Sequence, residues 1–510
     1  MLLMMLLACW SSDSPELPTG GDAPDIILVS IDTLRADHLG AYGYERDTSP
    51  FLDKLAASGV RGAHFRSPSP WTLPAHTTLL TGLLPQTHRV VDDDVQMDLK
   101  LPVLPELFRE RGYATGGFVA TLYVSRKFGF ERGFDVFDDA GITTEKKNLR
   151  GEVDAEDVVD KALKFLGDQP GKSAFVFMHF YDVHYPYEPP GDHDERFDRP
   201  SNDDDLRYRK YKYFKKNPPS DEQMAHQIAQ YDEEIRYLDG ELARLKAAMD
   251  ASGRDAIWLV TADHGEEFLE RGSWGHAHTL YAEQLRVPFI LAGPGVPSGV
   301  TLDGVAGLHD VAPTLTDLTG EPLPGDGISL VPYLSGEPAL PARPFLASTS
   351  RFDTNRLGVW EDGLRLEWDL NSRQAELFAG DAESKNLAPA RRQDVVRLKS
   401  RVSDLLGAPW EAAPGTIETD GKILSDGRIL RSPLTVSAEQ GARFAVVPAD
   451  AEVRHDGAGP YRAAGGPLPP EDGALRFSGE ARGADMTLSE EDRELLEQLG
   501  YMQGEEADGE

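Results

Sequence analysis

The sequence predicts an α/β protein: a doubly wound, mostly parallel sheet flanked by helices, followed by a smaller C-terminal α+β subdomain. Three observations carry this. Residues 25–31 (D-I-I-L-V-S-I), 173–181 (S-A-F-V-F-M-H-F-Y) and 256–262 (A-I-W-L-V-T-A) are near-continuous apolar runs, as parallel strands buried on both faces must be. Helical patterns separate these runs, the alternation of a wound sheet. Each run ends in residues that carry chemistry, and such sheets gather functional groups at the carboxyl ends of their strands.

Composition narrows the function. With 510 residues, 40% of them hydrophobic, the chain can bury a large core. Its formal charge of −34, from 86 Asp and Glu against 52 Lys and Arg, argues against a general nucleic-acid binder, which needs a basic face. An anionic substrate would need local compensation, by a metal or by clustered cations. Cys9 is the sole cysteine, so no internal disulfide exists. It ends the run M-L-L-M-M-L-L-A-C, too short to span a bilayer. Leu6-Leu7-Ala8-Cys9 resembles a bacterial lipobox. Residues 1–9 are then a signal, Cys9 carries lipid, and 10–24 form a tether to the bacterial cell envelope, facing the periplasm or exterior. The plainer reading is an apolar N-terminus with a free thiol; the lone cysteine stands where a lipobox needs it.

The elements follow in order. Asp32 ends the first strand and is a candidate site carboxylate, against the plainer reading of a turn residue. Ser49-Pro50 opens a helix that Gly59 closes. Residues 67–82 (S-P-S-P-W-T-L-P-A-H-T-T-L-L-T-G) read as a short helix with Thr72 as N-cap, Pro74 in the first turn and Gly82 as the stop. His76 shares a face with Thr72, and Leu79 and Leu80 pack inward. A hydroxyl at a helix N-terminus sits where an anionic ester is welcome. Alone, the stretch reads as a capped surface helix; its partners reverse that. Helices are expected at 104–111 and 154–166, and a strand at 113–121. The strand at 173–181 leads into Asp182 and His184. The charged insertion 196–220 contains a basic run at 206–216, read as a solvated loop. Ile228, Tyr231, Ile235, Leu238, Leu242 and Leu245 recur at helical spacing, marking a long amphipathic helix. Asp263-His264-Gly265-Glu266 follow the strand at 256–262, a short loop offers His276 and His278, and 287–291 form a fifth strand. The wound domain runs over 25–345. Residues 346–407 read as antiparallel strands and a helix, 408–486 as a Gly/Pro-rich β appendage or linker, and 487–501 as a terminal helix capped by Ser489.

Carboxylates with imidazoles at strand ends suit a divalent metal such as Zn²⁺ or Mn²⁺. A metal against the Thr72 hydroxyl would lower its pKa and make it a nucleophile.

Six segments together resemble the sulfatases of the alkaline phosphatase superfamily: D-T-L-R-A-D-H-L-G-A-Y-G-Y (32–44), T-L-P-A-H-T-T-L-L-T-G (72–82), H-F-Y-D-V-H-Y-P-Y-E-P-P (179–190), Y-D-E-E-I-R-Y-L-D (231–239), T-A-D-H-G-E-E-F (261–268) and H-T-L-Y-A-E-Q-L-R-V-P (278–288). The resemblance runs over about 25–406 and implies an alkaline-phosphatase-like fold. It implies metal ligation by Asp32, Asp263 and His264, with Thr72 at the nucleophile position and in reach of the metal, and His184 in contact with the ester or leaving group; an imidazole there suits a leaving-group acid. His76 stands where the motif's arginine belongs and is the third candidate catalytic residue. The departures are informative. Sulfatases oxidise cysteine or serine to formylglycine at the nucleophile position, and threonine cannot supply that aldehyde. Residues 112–121 lack the segment that clamps sulfate, and Ala277 replaces a lysine. Superfamily relatives that attack phosphorus use serine or threonine directly, often with two metals. The expectation is therefore a metal-dependent hydrolase of phosphate or phosphonate esters, with Mn, Zn, Ca or Mg and no formylglycine. Asp182, His276 and His278 are candidates for a second metal or for substrate contacts. The alternatives are a sulfuric ester hydrolase working without formylglycine, a phospho-headgroup transferase, and a non-catalytic lipoprotein that binds headgroups or glycans.

Overall fold

Strand β1 (Asp25–Ile31) is buried along its whole length. In the computed structural model it lies inside an eight-stranded sheet with β2 (Val60–Arg66), β3 (Ala114–Phe118), β4 (Val136–Asp138), β5 (Ala174–Phe180), β6 (Ala256–Thr261), β7 (Phe289–Ala292) and β8 (Val300–Gly307). The structure describes residues 20–142, 153–197, 206, 211–352, 354–381 and 385–406, and separate stretches between 410 and 493. Cys9 and the lipobox lie outside the described residues, as do 494–501 of the expected terminal helix. Among the described residues no helix is long and apolar enough to cross a membrane.

The strand order is β8-β2-β7-β6-β1-β5-β3-β4. Every pairing is parallel except those of β7, which runs against both β6 and β2. The expected fifth strand at 287–291 is thus the one reversed strand, beginning at Phe289. Apolar runs alone report burial, and not direction, so this reversal had no sequence signal. The strands β2, β4 and β8 had none either. Val60–Arg66 carries two arginines, a histidine and a glycine, and Val300–Gly307 bulges between Leu302 and Val305.

Register aligns the ends of the central strands. Ile31 pairs with Phe180, and Ser30 with Thr261. The residues just beyond β1, β5 and β6 therefore emerge at one edge. Helices α1 (Pro50–Ala57), α2 (Thr72–Thr81), α3 (Leu104–Glu110), α4 (Ala155–Gly167) and α5 (Asp221–Ala251) cover the sheet. α4 opens with a capping box between Asp154 and Asp157, and α5 with one between Ser220 and Gln223. On α5, Tyr231, Ile235, Leu238, Leu242 and Leu245 are buried, as their spacing requires.

The basic run at 206–216 differs from the expected loop. Tyr211–Lys216 is a helix, and its Phe214 is buried, with its ring stacked 4.8 Å from that of Trp274. Beyond the main sheet, β9 (Phe345–Thr349), β10 (Arg356–Glu361), β11 (Leu364–Asp369) and β12 (Ala375–Ala379) form an antiparallel sheet in chain order. Helix α6 (Arg392–Leu405) packs on it through Leu398 and Val402, giving a second small core with Leu357, Leu366 and Trp368. The described parts of 410–477 are antiparallel strands. The strand Gly483–Asp485 returns to pair with Val95–Met97, and the Asp492 backbone N–H donates to Ser489 Oγ at 3.1 Å, so Ser489 caps the turn there.

Candidate active site

The site begins where β1 and β6 end. Asp32 follows Ile31 and is fixed by its backbone N–H, which donates to the Phe180 carbonyl at 2.9 Å. Thr33 then adopts a left-handed φ of 56°, a conformation few residues hold without support. The support is visible: Thr33 Oγ1 donates to the Val183 carbonyl at 2.8 Å, and its N–H reaches Asp263 Oδ1 at 3.3 Å. One turn thus ties together the ends of three strands.

Asp263 Oδ1 also accepts from the His264 backbone N–H at 2.8 Å. Its Oδ2 is buried and accepts no hydrogen bond from the described residues. Burial, and then the nearby Asp32 carboxylate, raise the pKa of Asp263. His264 Nδ1 donates to the Gly265 carbonyl at 2.9 Å, which leaves the lone pair on Nε2. That nitrogen lies 3.3 Å from Asp263 Oδ2, 3.7 Å from Asp32 Oδ1 and 3.3 Å from Thr72 Oγ1. Asp32, Asp263 and His264 each offer a ligand atom within 4.8 Å of the others, and all three are buried. Two carboxylates and an imidazole lone pair, closed off from water, repel one another unless a cation sits among them. The donor set fits a divalent metal.

Thr72 is brought to this cluster by α2, a helix with every residue buried. It is the first helical residue; the N-cap is Trp71, not Thr72 as expected, and the Trp71 side chain makes no capping bond. The Thr72 side chain lies against His264, with Oγ1 3.3 Å from Nε2. Gly82 ends the helix in the left-handed conformation, as predicted.

His76 makes contacts of a supporting kind. Its Nδ1 donates to the Thr72 carbonyl at 2.9 Å, and its Nε2 accepts from Ser30 Oγ at 2.9 Å. It pins the first turn of α2 to β1. Burial pushes its pKa down to about 3, so it is neutral. Beside it stands His179, whose ring centroid is 4.8 Å away and whose Nε2 is 3.4 Å from Asp32 Oδ2. His179 was missed from the sequence, although a histidine inside an apolar strand is a visible signal.

His184 stacks on Tyr181, with ring centroids 4.3 Å apart, and its Nδ1 donates to the Tyr185 carbonyl at 2.6 Å. Burial and the neighbouring His276 push it down to about 3. His276 is pushed well below its ordinary value, by burial first and then by His264. Its ring lies 4.4 Å from that of His264 and 5.1 Å from that of His184. Its Nδ1 faces Glu266 Oε1 at 2.9 Å, and Glu266 Oε2 accepts from the Tyr187 hydroxyl at 2.9 Å. Glu266, the last residue of D-H-G-E, was also missed as a site residue.

Two sequence candidates point elsewhere. Ala277 has a left-handed φ of 72°, and that kink sends His276 and His278 apart. His278 Nε2 lies 3.1 Å from Glu267 Oε2 and 3.2 Å from Gln284 Nε2, within the loop that supports the site. Asp182 Oδ1 accepts from the Ala155 backbone N–H at 3.0 Å and so anchors the start of α4. Neither joins the metal-ligand cluster among the described residues.

A family model described as Sulfatase matches residues 24–321. The chain belongs to the sulfatase family. Membership makes it an ester hydrolase with the metal dependence of that family. A delta 4,5-hexuronate-2-O-sulfatase of Bacteroides thetaiotaomicron is 24% identical over 364 residues, 64% of this chain and 75% of that protein. Ectonucleotide pyrophosphatase/phosphodiesterase family member 3 of Mus musculus is 36% identical over 89 residues, 17% of this chain and 10% of that one. Among solved structures, a phosphonate monoester hydrolase of Silicibacter pomeroyi superposes with a TM-score of 0.61 at 20% identity, covering 74% of this chain and 94% of the other. That likeness shows the alkaline-phosphatase-like fold.

Proposed function

We propose that this protein is a metal-dependent hydrolase of phosphate or phosphonate esters with Thr72 as its nucleophile. The observation that carries the reading is Thr72 itself. A buried threonine hydroxyl stands 3.3 Å from His264 Nε2, against the Asp32, Asp263 and His264 cluster, and threonine cannot yield the formylglycine that sulfate ester cleavage uses in this family. The bound metal would supply positive charge that eases loss of the Thr72 proton and neutralises the ester.

The chain's own residues would do the rest. α2, pinned through His76, holds Thr72 Oγ1 in line with phosphorus. Thr72 releases its proton to solvent, and a new Oγ1–P bond forms as the bond from phosphorus to the leaving oxygen breaks. The leaving oxygen takes a proton from His184, which takes that proton up from solvent as the anionic ester enters and offsets its burial. Water then attacks phosphorus and gives a proton to the now neutral His184, the P–Oγ1 bond breaks, and Thr72 Oγ1 takes a proton back from solvent. Glu266 orients His276 toward His264 and His184 throughout. The names of the phosphodiesterase and phosphonate monoester hydrolase relatives support a phosphorus substrate. The hexuronate sulfatase relative supports the second reading, a sulfate ester hydrolase. Anchoring through a lipidated Cys9 in a bacterial envelope belongs to the same proposal and is tested by labelling cells with a fatty acid probe and comparing Cys9→Ala.

The substrate test uses metal-loaded protein and matched aryl phosphate, aryl phosphonate, phosphodiester and aryl sulfate substrates. The phosphorus esters should be turned over far faster than the sulfate, and Thr72→Ala should lower kcat by about 10³-fold or more. Preferred cleavage of the aryl sulfate overturns the phosphorus reading.

A further inference from the structure

The side chains around Thr72 leave a charge problem. Asp32, Asp263 and Glu266 are buried carboxylates. A doubly charged ester entering here meets no cationic side chain among them. Arg351, an arginine from beyond the family-matched residues, stands against Trp71, the neighbour of Thr72.

Arg351 follows β9. Two residues before it, Thr349 Oγ1 donates to the Ala277 carbonyl at 2.7 Å, beside His276, and the Ser348 N–H donates to the Pro68 carbonyl at 3.0 Å. β9 is thereby laced to both loops that frame the site. The Arg351 guanidinium lies 4.3 Å from the centroid of the Trp71 ring, and Trp71 is bonded directly to Thr72. Its Nη1 is 2.7 Å from Asp93 Oδ2, and its Nη2 donates to the Tyr123 hydroxyl at 2.6 Å. The Tyr123 hydroxyl in turn donates to Asp93, which closes a triad. Trp71 and Tyr123 are buried, and the Arg351 side chain is 8% exposed. A guanidinium held by an aromatic face on one side and a carboxylate and phenol on the other keeps one orientation, and its fork of donors matches phosphate oxygens.

We propose that Arg351 recognises the anionic oxygens of the ester, with Trp71, Tyr123 and Asp93 positioning its guanidinium. This rests on the reading of the site as a hydrolase of anionic esters at Thr72. It makes Arg351 a determinant of specificity for dianionic over monoanionic esters.

The test uses metal-loaded full-length protein and inorganic phosphate as the probe. Arg351→Met should weaken phosphate binding by about tenfold or more. It should also raise KM for an aryl phosphate monoester more than for a phosphodiester, with metal content unchanged. Arg351→Lys should recover part of the affinity, and it carries the test if the methionine variant does not fold. Asp93→Asn serves as a structural control, breaking the ion pair while leaving Arg351 in place, and should weaken phosphate binding less than Arg351→Met. Phosphate binding by folded Arg351→Met or Arg351→Lys equal to that of the parent overturns the proposal, as does an equal loss on monoester and diester. If the parent cleaves only aryl sulfate, the comparison is repeated with inorganic sulfate. Loss of sulfate binding then upholds Arg351 while the phosphorus reading fails.

Discussion

His88 shows how one buried residue sets a pH dependence. It is fully buried beside α2, its Nδ1 accepts from the Val90 N–H at 3.0 Å, and its Nε2 lies 3.2 Å from Thr78 Oγ1. A second proton on Nδ1 would face a donor, and burial pushes the pKa down from 6.5 to about 3. In the unfolded chain the group takes a proton below about 6.5, while the folded protein refuses it. Its contribution is therefore complete above that pH and is lost as pH falls from 6.5 toward 3. Denaturant unfolding from pH 7 to pH 4 should show His88→Asn losing less stability per pH unit than the parent, by close to one bound proton. Identical slopes would remove His88 from the account. Single residues also mark the limit of sequence reading. Asp32, Asp263 and His264 were legible because a strand end has a place in the fold. The opposed directions of His276 and His278 were not, because they depend on the left-handed backbone of Ala277, which nothing in an alanine announces.

At the scale of elements, α4 explains why Asp182 stands outside the metal-ligand cluster. Its carboxylate accepts the Ala155 N–H, one of the donors that a helix start leaves without an intrahelical partner. Asp182→Ala should lower unfolding stability by about 1–3 kcal/mol, and metal content should stay unchanged. Loss of one metal per chain in that variant would instead restore Asp182 as a ligand. The helices and the three central strands were readable because periodicity and continuous apolarity report burial directly. Strands β2, β4 and β8 were not, since they carry charge, a bulge or few residues. Their strand form comes from the neighbours they pair with.

Across the whole molecule, an acidic chain gathers two carboxylates and an imidazole into a dry cluster, and brings a threonine to its edge on a fully buried helix. The sheet register does the gathering, while β9 and the segment after it place Arg351 beside the helix that carries Thr72. The most direct test of this arrangement is to trap the bond it is built to form. Metal-loaded protein is mixed with an aryl phosphate, quenched in acid during turnover, digested and read by mass spectrometry. A phosphoryl group should appear on the peptide containing Thr72, should vanish with Thr72→Ala, and should form and decay at rates that match turnover. Continued turnover in Thr72→Ala, or steady turnover of the parent with the phosphoryl group on another residue, would contradict the central claim.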